Sequence, residues 1–417
     1  MKKDRKNVII NIAALIITQL FNYLSLLIVF PYLSRVLSLE SFGQFGISLS
    51  IILILNIIID FGFNISSPKW ISIKRNNYNF IGKYIASIFI IKSIIFIIFS
   101  SLFFILINLT NISNFSIPLQ LQIAIVVCVF FQSAQLTFFF QGIEKMKKIT
   151  SYAILSKIFF ALAVFIFVKK DTSISFIIML LGLSYIISFT IGLFYFHNEK
   201  YRLKLPSINI LIFSFKDSLM FFLSRASVSI YTSASTIIIG NYSSLNQAAL
   251  YSASEKIYNA GQGILYPISQ ALYPYLSKNK DAKYFFYMLF SLVTVLVIAV
   301  MVISFFTPIL LSVFYGKEYE EAYPIMNIFL CILVINFLSS NFGYPAFTLI
   351  NRLDIANKTV IIGGFLQLIL LTLIYNYSYI TAFTVVSSVL ITELFVLCSR
   401  VTIFVYLYRL QKSNTFY

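Results

Sequence analysis

Runs of about twenty apolar residues, each closed by a short cluster of charged or polar ones, recur from one end of the chain to the other. A bilayer core about 30 Å thick is crossed by roughly 20 helical residues, and lipid offers the backbone no hydrogen-bond partners of its own. The runs fall at 8–30, 42–61, 84–107, 119–140, 150–168, 174–196, 217–240, 246–276, 284–306, 322–341, 356–378 and 381–408. Only 11% of the 417 residues are charged and 59% are hydrophobic, whereas a soluble domain is about 25% charged. So few charges cannot cover a water-soluble surface, which excludes a large cytosolic enzyme. The sequence predicts an all-α integral membrane protein with twelve transmembrane helices.

The positions of the cations test that count. With the N-terminus inside, the segments facing the cytoplasm hold 22 Lys and Arg, and the outer segments hold four, namely Arg35, Lys169, Lys170 and Lys317. A missed or invented span would invert every later loop and erase the asymmetry, because cytoplasmic loops are enriched in Lys and Arg. Twelve spans with both termini cytoplasmic is therefore the expectation. The net charge of +17 is accounted for by these loops, and no nucleic-acid partner is expected. The opening MKKDRK is basic, but the apolar run after it is too long for a signal-peptide core; it reads as a retained first helix. Cys128, Cys331 and Cys398 have no metal-ligand spacing, and one histidine, His197, is too few for a His-based metal site or triad. No catalytic residue, metal or cofactor is expected.

The longest cytoplasmic linker, His197 to Ser218, divides the spans six and six, giving an N-terminal lobe at 1–205 and a C-terminal lobe at 206–417. Both lobes would start from the cytoplasm, so a repeat would be parallel. Leu39–Phe45 opens span 2, and Leu245–Tyr251 opens span 8 about half a chain later. Polarity also follows half-position. Span 7 carries a series of Ser and Thr with Arg225, and span 8 carries Glu255, Lys256, Asn259 and Gln262. Spans 1 and 2 carry Gln19, Asn22, Asn56 and Asp60. Such helices line cavities, or use their small residues for close helix packing.

Five cations lie inside spans: Lys92, Lys157, Arg225, Lys256 and Arg400, with Asp60, Glu255 and Glu393 as the carboxylates. A central Lys or Arg costs roughly 2.5–3.5 kcal/mol on insertion, which a run of Ile, Leu and Phe offsets. Lys92 and Lys256 fall near mid-membrane, and Asp60 falls nearest an edge. Lys157 and Arg400 either face a cavity or snorkel. Arg225 and Lys256 are expected in a wet cavity. Glu255 and Lys256 are adjacent and project about 100° apart, so Glu255 is expected to pair with Arg225 across helices or to titrate in ion coupling. Glu393 is expected to partner a Lys or Arg elsewhere. Gly261, Gly263, Pro267 and Pro274 would bend span 8, as a hinge or as a static kink.

Two stretches carry a resemblance: FPYLSRVLSLESFGQFG (Phe30–Gly46) and YSASEKIYNAGQGILYPISQALYPYLSK (Tyr251–Lys278). With twelve spans, the chain resembles O-antigen flippases of the Wzx type, in the polysaccharide-transporter branch of the MOP exporter superfamily. The resemblance implies a MATE-like fold of two six-helix lobes, with a cavity among helices 1, 2, 7 and 8. It also implies the bacterial inner membrane, an undecaprenyl-pyrophosphate-linked oligosaccharide as cargo, and alternating access. Membrane lipids and other polysaccharide-assembly proteins are the implied partners. A positive interior suits a pyrophosphate, and Arg225, Lys256, Lys92, Lys157 and Arg400 are its candidate ligands. A membrane polymerase or glycosyltransferase would need a sizeable outer loop for catalytic groups. An ion-coupled antiporter for cationic drugs would want the opposite sign of charge.

Overall fold

The computed structural model describes Phe21 and residues 28–109, 117–170, 172–377 and 379–414. Within helices, the side chains at 230, 231, 267, 268, 270–275, 277–279 and 412–414 are outside that description. Most of the first expected span, with Gln19 and Asn22, therefore lies outside the described residues. So do the side chains of Pro267 and Pro274.

Among the described residues the chain is helical with no strand. After a helical stretch at 28–36 come α1 (Leu39–Asp60), α2 (Phe63–Ile73), α3 (Tyr78–Leu109), α4 (Leu119–Ser133), α5 (Thr137–Gly142), α6 (Met146–Phe167), α7 (Ile174–His197) and α8 (Ile208–Tyr231). Then follow α9 (Ser233–Tyr242), α10 (Leu245–Asn279), α11 (Ala282–Phe305), α12 (Thr307–Tyr315), a 3-10 turn at Lys317–Ala322, α13 (Tyr323–Asn341), α14 (Tyr344–Leu349), α15 (Leu353–Tyr377) and α16 (Ala382–Asn414). Nine helical stretches among the described residues are long and apolar enough to cross a membrane. The protein is a multi-pass membrane protein. Its outward faces show why: Ile94, Ile97, Ile98 and Ile105 on α3, and Phe290, Val295, Ile298 and Phe305 on α11, are all exposed, as lipid-facing side chains are.

Two compact units divide between Ser229 and Ile230. In the first, α4 and α6 pack on α7, α1 packs on α4, and α2 packs on α5. In the second, α13 and α15 pack on α16, and α10 packs on α13. The linker expected over 197–218 is helical from Ile208, since INILIFSF continues the apolar pattern ahead of Lys216. Within the first unit, α8 is fastened by Ser66 with Ser218 (2.6 Å), Trp70 with Asp217 (2.9 Å) and Ser87 with Ser214 (2.8 Å).

Loop grouping in the first unit follows the charge asymmetry. Tyr201 donates to the Arg75 carbonyl (2.9 Å), Arg75 pairs with Glu144 (3.5 Å), and Glu199 takes both Lys145 and Lys148 at 2.7 Å. These contacts gather the segments that the cation count puts inside. At the other end, a cavity of about 360 Å³ is lined by Ser38, Ser41, Pro118, Thr172 and Ser173, from segments the count puts outside.

Some local geometry recurs in the two units. Ser38 caps α1 by accepting from the Ser41 amide (3.2 Å), and Ser244 caps α10 by accepting from the Gln247 amide (3.1 Å). Capping Ser satisfies an orphan N–H at a helix start. At the turns before α6 and α15, Glu144 and Asn351 are both left-handed, with φ of 60° and 57°. Each turn is closed by the next amide: Lys145 to the Phe140 carbonyl (2.9 Å) and Arg352 to the Phe347 carbonyl (3.0 Å).

Candidate functional site

In the first unit the polar chemistry centres on the place where one long helix breaks. The helical stretch Leu39–Ile73 is interrupted after Asp60 by Phe61 and Gly62, both left-handed, with φ of 48° and 79°. The break turns the Asp60 carboxylate towards three neighbours. One oxygen, Oδ1, accepts from Lys92 Nζ (2.9 Å) and from the Asn64 side-chain amide (2.6 Å). The other, Oδ2, accepts from the Asn64 backbone N–H (3.4 Å) and lies 3.6 Å from Arg225 Nη1. Lys92 Nζ donates as well to the carbonyl of Ser133, the last residue of α4 (2.9 Å), and sits 5.2 Å from the Phe138 ring centre. A helix C-terminus is a favourable place for an ammonium.

Asp60 is 3% exposed and Lys92 4%, so this pair is sealed in the unit. Asp60 ends a helix because the backbone breaks there, and it is the hub of a buried cluster. Arg225 differs from both, with its side chain 42% exposed. Two cations share one carboxylate, and the exposed member carries the surplus charge. Aromatic packing fixes the spot. Phe61 stacks on Phe215 and Phe222 of α8 at 4.6 and 4.7 Å. At Gly62 a Cβ would meet the Phe222 nitrogen at 2.8 Å, so glycine is needed for this approach as well as for its φ. Lys157 is not brought into the cluster; its Nζ stands 5.8 Å from the Tyr185 ring centre.

The second unit arranges its charges otherwise. Lys256 Nζ donates to Glu255 Oε2 at 3.1 Å, both residues being buried. The structure thus joins two adjacent residues that helix angles alone would keep apart, while in the first unit Arg225 goes to Asp60. A lysine's four methylenes are long enough to fold its ammonium across the angle between adjacent helical positions. Glu393, 4% exposed, accepts from the Asn336 side-chain amide at 3.1 Å. Arg400, two turns further along the same helix, lies within electrostatic reach of this carboxylate, which fits the expected cation partner, and the amide adds a hydrogen bond to it. Gln262 extends the string by donating to Asn336 Oδ1 (2.8 Å) and to Tyr258 Oη (2.7 Å).

Arg400 is a tie between helices. It donates to the Ser339 carbonyl (2.7 Å) and hydroxyl (3.1 Å), to Thr359 Oγ1 (3.0 Å) and to the Ala356 carbonyl (2.9 Å). Those bonds join α13, α15 and α16 and answer the need of a buried guanidinium for acceptors. The bend expected in span 8 from Gly261, Gly263, Pro267 and Pro274 does not interrupt α10, which runs unbroken over 35 residues. Gly261 sits where a Cβ would meet Leu333 Cδ2 at 3.1 Å, so it serves close packing. Asn64, Asn336 and the Ser133 carbonyl were not singled out by the sequence. Asn336 could be marked only as an amide inside an apolar run, Asn64 falls just past the end of one, and a backbone carbonyl leaves no mark at all.

Elsewhere in the first unit, Glu199 is also set by its neighbours. Burial opposes its ionisation, but hydrogen bonds and charge from Lys145 and Lys148 outweigh that and hold the carboxyl below the usual range.

Residues 8–280 match the family described as "Polysaccharide biosynthesis protein". A protein of Shigella dysenteriae named as an O-antigen transporter is 28% identical over 400 residues, covering 93% of this chain and 97% of its own. Among solved structures, an inward-facing multidrug resistance MATE family transporter of the MOP superfamily superimposes with a TM-score of 0.75 at 13% identity, over 95% of each chain. The lipid II flippase MurJ in its inward closed conformation gives a TM-score of 0.69 at 15% identity, over 94% of this chain and 87% of that one. The fold is thus the all-helical MOP fold.

Proposed function

The chain belongs to the polysaccharide biosynthesis protein family, a family of membrane transporters rather than enzymes, and from that premise we propose that it is a lipid-linked oligosaccharide flippase. Its cargo would be an undecaprenyl-pyrophosphate-linked O-antigen repeat unit or a similar glycan. The direction would be from the cytoplasmic to the periplasmic side of the bacterial inner membrane, by alternating access.

The observation that carries this reading is the half-exposed Arg225 guanidinium in a membrane protein, backed by the buried Lys92–Asp60 pair. Since Lys92 and Asp60 neutralise one another, Arg225 is the uncompensated charge of the cluster. A guanidinium presents several N–H donors in a planar fork that matches phosphate oxygens. In a medium of low dielectric such a contact is strong. A cationic cargo would be repelled by the same group. Lys256, neutralised by Glu255, and Arg400, bonded to protein oxygens, support phosphate binding less well than Arg225.

Reconstitution with an undecaprenyl-pyrophosphate-linked oligosaccharide tests the proposal. The wild-type chain is expected to expose the glycan on the far side of the vesicle. Arg225→Ala is expected to slow that by roughly ten- to a hundredfold, the worth of a charge-assisted hydrogen bond. Wild type that moves no lipid, or an Arg225→Ala variant at the wild-type rate, overturns it.

A further inference from the structure

We infer that Asp60 is a built-in competitor for Arg225, and that it makes the site accept a headgroup carrying two negative charges while rejecting one that carries a single charge. The inference rests on the reading of Arg225 as the phosphate-binding group and adds what selects among phosphates.

The geometry sets Arg225 apart from the buried cations. At 3.6 Å from Asp60 Oδ2 it is within ion-pair range and beyond a good hydrogen bond. It is held without being locked. Asp60 itself is locked, because Lys92 and Asn64 bind Oδ1 at 2.9 and 2.6 Å. Lys92 is locked in turn by the Ser133 carbonyl at 2.9 Å. Arg225 can therefore leave Asp60 without stranding a bare charge, since the carboxylate keeps Lys92 and both donors of Asn64. Arg400 has no such freedom, with its donors placed on Ser339, Thr359 and Ala356.

Consider what a ligand must do. To capture the guanidinium it has to outbid one carboxylate. A phosphodiester lipid with one negative charge offers Arg225 only what Asp60 already offers, so the exchange gains nothing. A diphosphate diester or a phosphate monoester brings close to two negative charges, and the exchange is favourable. The distinction matters because the bilayer itself is crowded with singly charged phosphodiester lipids. An unguarded arginine open to a membrane would stay occupied by them.

The test uses the full-length chain in neutral phosphatidylcholine nanodiscs, with binding of an undecaprenyl-pyrophosphate-linked oligosaccharide as the readout. Phosphatidylglycerol serves as the singly charged competitor and phosphatidic acid as the doubly charged one. For wild type, phosphatidic acid is expected to weaken binding by at least about fivefold and phosphatidylglycerol by less than about twofold. Asp60→Asn keeps an acceptor for Lys92 and removes the competing charge. It is expected to bind the diphosphate lipid more tightly and to become sensitive to phosphatidylglycerol by about fivefold; Asp60→Glu should behave as wild type. Equal inhibition of wild type by both competitors sinks the inference even if Asp60→Asn does not fold. An Asp60→Asn variant still blind to phosphatidylglycerol sinks it too. Wild type that does not bind the diphosphate lipid at all in neutral discs removes the flippase reading, and this inference with it.

Discussion

Two stretches of equal length, Leu39–Ile73 and Leu245–Asn279, each span 35 residues and begin with the same serine cap, yet only one is a continuous helix. The first breaks at Phe61–Gly62; the second runs through. Their charges differ accordingly. In the unbroken helix Glu255 and Lys256 close on each other, a contact made within one element. In the broken one, Asp60 ends a helix and its carboxylate reaches α3, α8 and the next turn of its own chain. A local pair neutralises itself and asks nothing of its neighbours. A pair across elements ties the fold together and leaves a third group, Arg225, with charge to offer. The lesson is that an intramembrane cation becomes useful to a ligand when its counter-charge is shared.

The largest difference should appear when each pair is dismantled. Lys92→Met leaves Asp60 buried without its closest cation and frees the Ser133 carbonyl, and loss of one partner of a buried pair costs about 3–5 kcal/mol. The double replacement Glu255→Gln with Lys256→Met removes a self-contained pair, which for buried ion pairs is often neutral, here within about 1 kcal/mol. Thermal unfolding of the full chain in detergent compares the two. If Lys92→Met melts no lower than the double variant, the contrast between a tie and a local pair is wrong.

A smaller effect tests the break itself. Gly62→Ala would place a Cβ at 2.8 Å from the Phe222 nitrogen and force alanine to φ of 79°. A left-handed non-glycine residue costs roughly 1–3 kcal/mol from the backbone, and the contact adds to it. Gly192→Ala is the unstrained control: it lies inside α7, and the nearest atom to its added carbon is Tyr152 Cε1 at 4.0 Å. Gly62→Ala should therefore lower the melting temperature, and Gly192→Ala should not. Equal shifts would mean that α8 does not depend on the break for its seat.

How much of this was legible beforehand follows from which interactions are periodic. The spans were, because apolar runs of bilayer length are a property of the chain itself, and helices α3, α6, α7, α11 and α15 fall on the runs that mark them. Arg225 and Lys92 stood out as charges in apolar surroundings. Their shared partner was hidden, since Asp60 at the end of an apolar run looks the same whether the helix meets solvent or breaks. Phe61 in the left-handed region has no sequence signature, and Gly62 beside it is a weak one. Arg400 misled in the opposite sense: two of its acceptors are the carbonyls of Ser339 and Ala356, and backbone oxygens exist at every position. The Glu255–Lys256 pair was discounted on helix angles alone, without allowing for the reach of a lysine.

The smallest expected effect extends the comparison to the turns at Glu144 and Asn351, which share their left-handed residue and closing hydrogen bond but not their electrostatics. In the first unit Lys145 and Lys148 are joined to Glu199, more than fifty residues away, at 2.7 Å each. In the second, Asp354 takes Arg352 and Lys358 from its own segment, with all three exposed. The Glu199 carboxyl is held below its ordinary value of 4.5. A depressed carboxylate contributes its full stabilisation above the unfolded value and loses it as pH falls through the folded one. The clamp should therefore be constant from pH 7 down to about 5 and weaken only below that. Glu199→Gln should reproduce the acid state at pH 7, seen as faster proteolysis of the segment 198–206 that Glu199, Tyr201 and Lys204 fasten to its neighbours. Asp354→Asn should leave cleavage near α15 unchanged, because exposed pairs within a segment contribute little. If Glu199→Gln cleaves no faster than wild type at pH 7, the long-range clamp is no stronger than the local one, and the two turns are equivalent in charge as well as in backbone.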